Sequence, residues 1–305
     1  MTWLKRMGFF FLTNLLVMVT VGIVWGLVST FFFRGLSNYV VVMMGFSFVF
    51  GMTGALVSLL LSRWMAKSFY GVQIVDPNTS NPDLAWLVRT VYSLAERAGL
   101  PNKPQVGFYE SEDVNAFATG PSKSRSLVAV SSGLLRRMTR EEAEAVLGHE
   151  ITHVANGDMV TMALIQGVVN SFAFFFSRLL ASVIASNVEE RIRPMVRFFA
   201  TIVGDIAFTM LGSIVVAWFS RRREFRADQG GAHLASRQKM ISALHRLQSF
   251  YTNPSSSPDL GAGQPALAAM KISHRDGGGL RALFATHPPL EVRIQALENL
   301  TAAQL

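Results

Sequence analysis

Two histidines four residues apart flank a glutamate in Gly148-His149-Glu150-Ile151-Thr152-His153. On an α-helix, positions i and i+4 stand one turn apart on one face, so both imidazoles can reach a single metal ion. The carboxylate next to the first histidine then points at the metal's open position, where a water is polarised. This is the arrangement of a zinc-dependent peptide hydrolase, although the bare five-residue pattern also arises by chance in amphipathic helices. A catalytic zinc generally takes three protein ligands, so a third must come from another element. The chain has no cysteine, which excludes thiolate ligands and disulfides. Glu224 and Asp228 supply a pair one turn apart: Glu224 as ligand, Asp228 as acceptor for the second ring N–H of a metal-binding histidine. The same two acids also read as solvated partners of Arg222 to Arg226, and spacing alone leaves both readings open.

The motif needs a helix, and the sequence predicts one. Thr139-Arg140-Glu141-Glu142 places a capping hydroxyl before acids in a first turn. Ala143, Val146, Leu147, Glu150, Ile151 and Val154 then keep the 3.6-residue period. Ahead of it, Leu84 to Ala98 has helical periodicity and Gly99 marks its stop. Pro104–Tyr109, Val114–Gly120 and Leu127–Ser131 read as short strands of a small sheet. After the second half of the chain's apolar runs, Ser220 to Tyr251 is helical again. Leu290 to Leu300 forms a closing amphipathic helix.

The remainder is membrane-like. Half of the 305 residues are hydrophobic and only 16% are charged, against about 25% in ordinary soluble domains. Met7–Phe33 and Tyr39–Ser62 are uncharged runs of 27 and 24 residues, long enough to span a bilayer as a hairpin. Met159–Ala185 and Pro194–Phe219 are less clean, since they contain Arg178 and Asp205. They read as two further spans or as an interfacial hairpin. The net charge of +8 sits at the ends of these runs, which argues for topology determination and against nucleic-acid binding. Lys5, Arg6, Arg63, Lys67 and Arg221-Arg222-Arg223 put the flanks of the runs in the cytoplasm. His149 and Glu224 share a side only if an even number of crossings separates them, and two runs do.

The assembled pattern resembles a known family, the integral-membrane zinc metallopeptidases related to HtpX, within the group that includes the CAAX prenyl proteases. The resemblance rests on an N-terminal apolar hairpin, Val114-Asn115-Ala116-Phe117-Ala118, Leu127-Val128-Ala129-Val130, His149-Glu150-Ile151-Thr152-His153 with Asn156-Gly157-Asp158, Arg223-Glu224-Phe225-Arg226-Ala227-Asp228, and Thr286-His287-Pro288-Pro289 leading into Arg293. It implies one Zn2+ per chain held by His149, His153 and Glu224, with Glu150 as catalytic acid/base. The implied fold is an α+β membrane protein. A mainly helical gluzincin-type domain with a small β-sheet is joined to about four transmembrane helices. The expected division is 1–62, a transmembrane hairpin; 63–158, the first part of the peptidase domain; 159–219, a second hairpin; and 220–305, the rest of the domain with a mobile loop at 252–279. The resemblance further implies a bacterial inner-membrane, multi-pass protein whose active site faces the cytoplasm. Expected partners are the lipid bilayer, unfolded or membrane protein substrates, and further copies of the chain or other quality-control proteases. Degradation of misfolded membrane proteins under stress, and self-cleavage, are the expected activities.

Around the site, Asn115 either holds substrate backbone or simply starts a strand. His287 either stabilises an oxyanion or sits in a turn before two prolines. Asp158 either orients His153 or ends a helix. His233, His245 and His274 are not expected to bind metal. Two rival functions remain. A CAAX-type processing protease would need more apolar runs than this chain has. A non-catalytic scaffold with a structural zinc would have no use for Glu150 beside an open coordination position.

Overall fold

A computed structural model describes residues 39–252 and 281–300, with scattered helical positions between 19 and 31. The expected run at 7–33 and the expected mobile loop at 252–279 fall almost wholly outside these residues. The chain divides into two compact units, Met1–Leu59 with Thr161–Val216, and Leu60–Val160 with Ala217–Leu305.

Three described helices are long and apolar enough to cross a membrane: α1 (Tyr39–Phe69), α5 (Asp158–Ser186) and α6 (Arg193–Leu234). Within the first unit they pack through small residues, as membrane helices do when no hydrophobic effect drives them together. A methyl group on Gly51 would run into Ser171 and Gly167, and one on Gly204 into Ser177. Arg178 in the third apolar run has a partner. Its Nη1 donates to Asp205 Oδ1 at 2.9 Å, joining α5 to α6.

The second unit carries a four-stranded sheet of β1 (Gln73–Ile74), β2 (Gln105–Tyr109), β3 (Ala116–Ser122) and β4 (Arg125–Ser131), in the order β1-β2-β4-β3. β2 runs parallel to β4, and β3 is an antiparallel edge strand. Alternate residues of β4 face opposite ways. Val128 and Val130 enter the main core with α2 (Pro82–Arg97) and α4 (Arg140–Asn156). Leu127 and Ala129 pack with Tyr109, Phe117 and Ala66 on the other face. A short α3 (Ser132–Arg137) links the sheet to α4. Beyond α6 come α7 (Arg237–Thr252), α8 (Arg281–Phe284) and α9 (Leu290–Glu298).

The helix starting at Ser220 in the sequence reading is not a new element. α6 runs unbroken from Arg193 to Leu234, 42 residues, and breaks only at Ala235-Ser236. Nothing in Ser220-Arg221-Arg222-Arg223 stops a helix, because arginine is a good helix former. The expected third ligand therefore stands on the same helix as the fourth apolar run.

Candidate metal centre

α4 is anchored at its start by a reciprocal capping box between Thr139 and Glu142. It ends at Gly157, whose φ of 72° is left-handed and costs a residue without Cβ little. This sharp stop turns Asp158, the first residue of α5, back toward the helix it follows. Its Oδ2 lies 2.6 Å from His153 Nδ1. α6 crosses α4 closely because Gly230 and Gly231 carry no side chain. A methyl group at Gly230 would strike Thr152, and one at Gly231 would press on the His149 backbone.

The crossing brings three ligand atoms together. His149 Nε2 and His153 Nε2 are 3.1 Å apart. Glu224 Oε2 is 3.4 Å from the first and Oε1 is 3.4 Å from the second. All three side chains are buried, and their ligand atoms lie within 4.8 Å of one another. Asp228 Oδ1 lies 2.9 Å from His149 Nδ1, close in distance though out of line for a good hydrogen bond. Each Nδ1 thus faces a carboxylate, which in the neutral imidazole favours the proton there and directs the Nε2 lone pair inward.

Electrostatics tie the cluster together. Burial alone would lower His149, but Asp228 and then Glu224 outweigh it and push the imidazole up to about 9. Burial likewise opposes His153, and Asp158 and Glu224 raise it. Burial would raise the Glu224 carboxyl, yet the charge of His287 and the facing histidines hold it well below the usual carboxylate range. The 3.4 Å approaches are too long for strong hydrogen bonds, and both Glu224 oxygens are buried with no hydrogen-bond donor. A buried carboxylate that has no hydrogen-bond donor and stands beside two imidazole nitrogens is a donor set that fits a divalent cation.

His287 lies in the turn between α8 and α9, with Nδ1 2.9 Å from Glu224 Oε2 but again misaligned for a hydrogen bond. Asn115 sits just before the edge strand. Its main chain bonds Ser131, and its Nδ2 donates to Tyr109 Oη at 3.1 Å, while its buried Oδ1 has no donor. No described hydrogen bond or ion pair joins Asn115 to the His-His-Glu group. Glu150 is buried on α4, and its charge contributes to raising both Tyr109, mainly shifted by burial, and Arg293. His233 and His245 lie outside the metal-ligating group.

In the sequence, Arg293 has no role beyond its place in a motif. Its guanidinium is fully buried, with Nε 2.7 Å and Nη2 2.5 Å from the two Asp228 oxygens and Nη1 3.8 Å from Glu224 Oε2. A signal was available, because Arg293 shares a stripe with the buried Leu290, Ile294 and Leu297 of α9. A cation on an apolar helix face must find a buried partner. Tyr109, at the end of a strand, gave no comparable signal.

The model of peptidase family M48 matches residues 82–301, which include every residue of this cluster. The chain belongs to peptidase family M48. Among M48 relatives, the protease HtpX of Acinetobacter baylyi is 48% identical over 307 residues, covering 97% of this chain and 99% of that protein. A protease HtpX homolog of Bacillus subtilis is 46% identical over 304 residues, covering 96% of this chain and 99% of that one. The crystal structure of S. mikatae Ste24p shares the fold, with a TM-score of 0.58 at 18% identity. That similarity covers 97% of this chain and spans 65% of the Ste24p chain. With its apolar helices, this family membership makes the protein a membrane metalloprotease of the HtpX type.

Proposed function

We propose that this chain is a zinc endopeptidase of the bacterial inner membrane that cuts unfolded or damaged membrane proteins on the cytoplasmic side. The observation that carries the reading is the convergence of His149 Nε2, His153 Nε2 and the donor-free Glu224 carboxylate. These three residues would hold the ion. Zinc bound there would supply Lewis acidity, drawing the pKa of a water toward about 7 and polarising the scissile carbonyl.

The protein's own groups supply the rest. Glu150 takes the proton of the attacking water and later delivers it to the leaving amine. His287 donates to the oxyanion that develops at the carbonyl. Asp158 and Asp228 hold the two histidines in one tautomer. Strand β3 lies at the edge of the sheet and packs beside α4, which supports strand addition as the way an extended segment is bound. Asn115 stands at its start. Edge binding reads main chain rather than side chains, in keeping with unfolded substrates of varied sequence. The basic residues flanking the apolar runs support a multi-pass topology with the site in the cytoplasm.

The test is Glu150→Gln in purified full-length protein, assayed on unfolded casein in detergent. Cleavage should fall by about 10²–10⁴-fold while zinc content stays at the wild-type level. Undiminished cleavage at full zinc content would remove Glu150 from its role.

A further inference from the structure

Three residues before Glu224, on the same helix, stands Arg221. Its Nη1 donates to two main-chain carbonyls of a distant segment, Leu283 O at 3.1 Å and Ala285 O at 2.7 Å. Two residues after Ala285 comes His287, which touches Glu224. Six residues later comes Arg293, which forks Asp228. Segment 283–293 therefore lies along one face of α6, hydrogen-bonded at Arg221 and Asp228 and in contact at Glu224, positions i, i+7 and i+3.

We propose that Arg221 is a positioning residue that fixes the backbone delivering the His287 imidazole to the site, a role that rests on the peptidase reading above. The two sides of His287 differ in what holds them. On its C-terminal side, Pro288-Pro289 locks the backbone and Arg293 anchors α9. On its N-terminal side, among the described residues, stands α8, four residues of helix that hold little by themselves. Charge-assisted bonds from Arg221 to two carbonyls of that side do what the short helix cannot. Because both bonds come from one nitrogen, an ammonium with three donors can replace much of the function, whereas a neutral side chain cannot. The bland alternative is that Arg221 serves only as one of three boundary charges beside Arg222 and Arg223. In that case it would affect insertion and yield but not turnover.

The experiment compares zinc-loaded, full-length wild type with Arg221→Ala, Arg221→Lys, His287→Ala and the Arg221→Ala/His287→Ala double variant in detergent. Cleavage of unfolded casein is followed for kcat and KM, and amide hydrogen exchange is followed across 283–287. Arg221→Ala should lower kcat by up to about 10²-fold, the scale for a misplaced catalytic group, with KM and zinc content little changed. Arg221→Lys should restore kcat to within about threefold of wild type. In the His287→Ala background, Arg221→Ala should cost nothing further, because the two act as one unit. Exchange at 283–287 should quicken in Arg221→Ala and not in Arg221→Lys. Unchanged kcat with unchanged exchange, or additive losses in the double variant, would overturn the proposal. If the wild type shows no chelator-sensitive cleavage, the peptidase reading fails instead, and exchange alone then decides whether Arg221 holds the segment.

Discussion

The two units treat buried polar groups in opposite ways. In the membrane unit they are satisfied close at hand. Ser47 Oγ donates to Met43 O at 2.8 Å and Ser171 Oγ to Gly167 O at 2.7 Å, and the part-buried Gln166 Nε2 and Arg178 Nη1 donate to Asn170 Oδ1 at 2.7 Å and Asp205 Oδ1 at 2.9 Å. None of the buried atoms lacking a hydrogen bond among the described residues belongs to that unit. In the catalytic unit single unsatisfied atoms occur at Ser62, Gln105, Asn115 and Arg223, and five more gather on Glu224, His149 and His287. A polar group in an apolar helix is made tolerable by a neighbour. A cluster of unsatisfied groups on facing metal-ligating residues is explained by something that binds there.

The comparison can be broken at several levels. The largest effect on stability is expected at Arg293, whose loss leaves Asp228 buried and unpaired. Arg293→Ala should destabilise the catalytic unit by about 3–5 kcal/mol, read as a lower midpoint in thermal or denaturant unfolding in detergent. Next come the carboxylates behind the histidines. Asp158→Asn and Asp228→Asn should each weaken zinc binding about 10–100-fold, measured by competition with a chelator. If both variants keep wild-type affinity, the carboxylates do not set the tautomers. Within the membrane unit, Ser177 Oγ donates to Thr201 O at 2.9 Å across α5 and α6. Ser177→Ala should cost only about 0.6 kcal/mol in unfolding by a denaturing detergent, since such bonds have alternatives in the unfolded state. A cost as large as that at Arg293 would erase the contrast between the units. Smallest of all, Glu112→Ala removes an exposed partner of Arg136 and should change stability by less than about 1 kcal/mol.

Much of this was legible in the sequence, for identifiable reasons. His149 and His153 share a helix face by spacing alone, and the Thr139 cap and the apolar period around it marked that helix. A short strand near Val114–Gly120 was legible too, and it forms as Ala116–Ser122 at the edge of the sheet. The continuity of α6 was not legible, because a change from apolar to basic composition looks like a boundary although arginine propagates a helix as well as leucine does. The role of Arg293 was partly hidden for a related reason. Its partner Asp228 lies 65 positions earlier, and a cation on an apolar stripe announces that it needs a partner without saying which. Arg221 was read as a topology signal because it lies in a run of three arginines. Only the fold separates the one that grips Leu283 and Ala285 from its neighbours.

The most direct test of the central claim is zinc content, measured by elemental analysis on protein purified without chelator. We expect about one zinc per chain in the wild type and in Glu150→Gln, and a large loss in Glu224→Ala, since three ligands define such a site. A zinc-free wild type, or a Glu224→Ala variant that binds zinc as tightly as the wild type, would contradict the site described above.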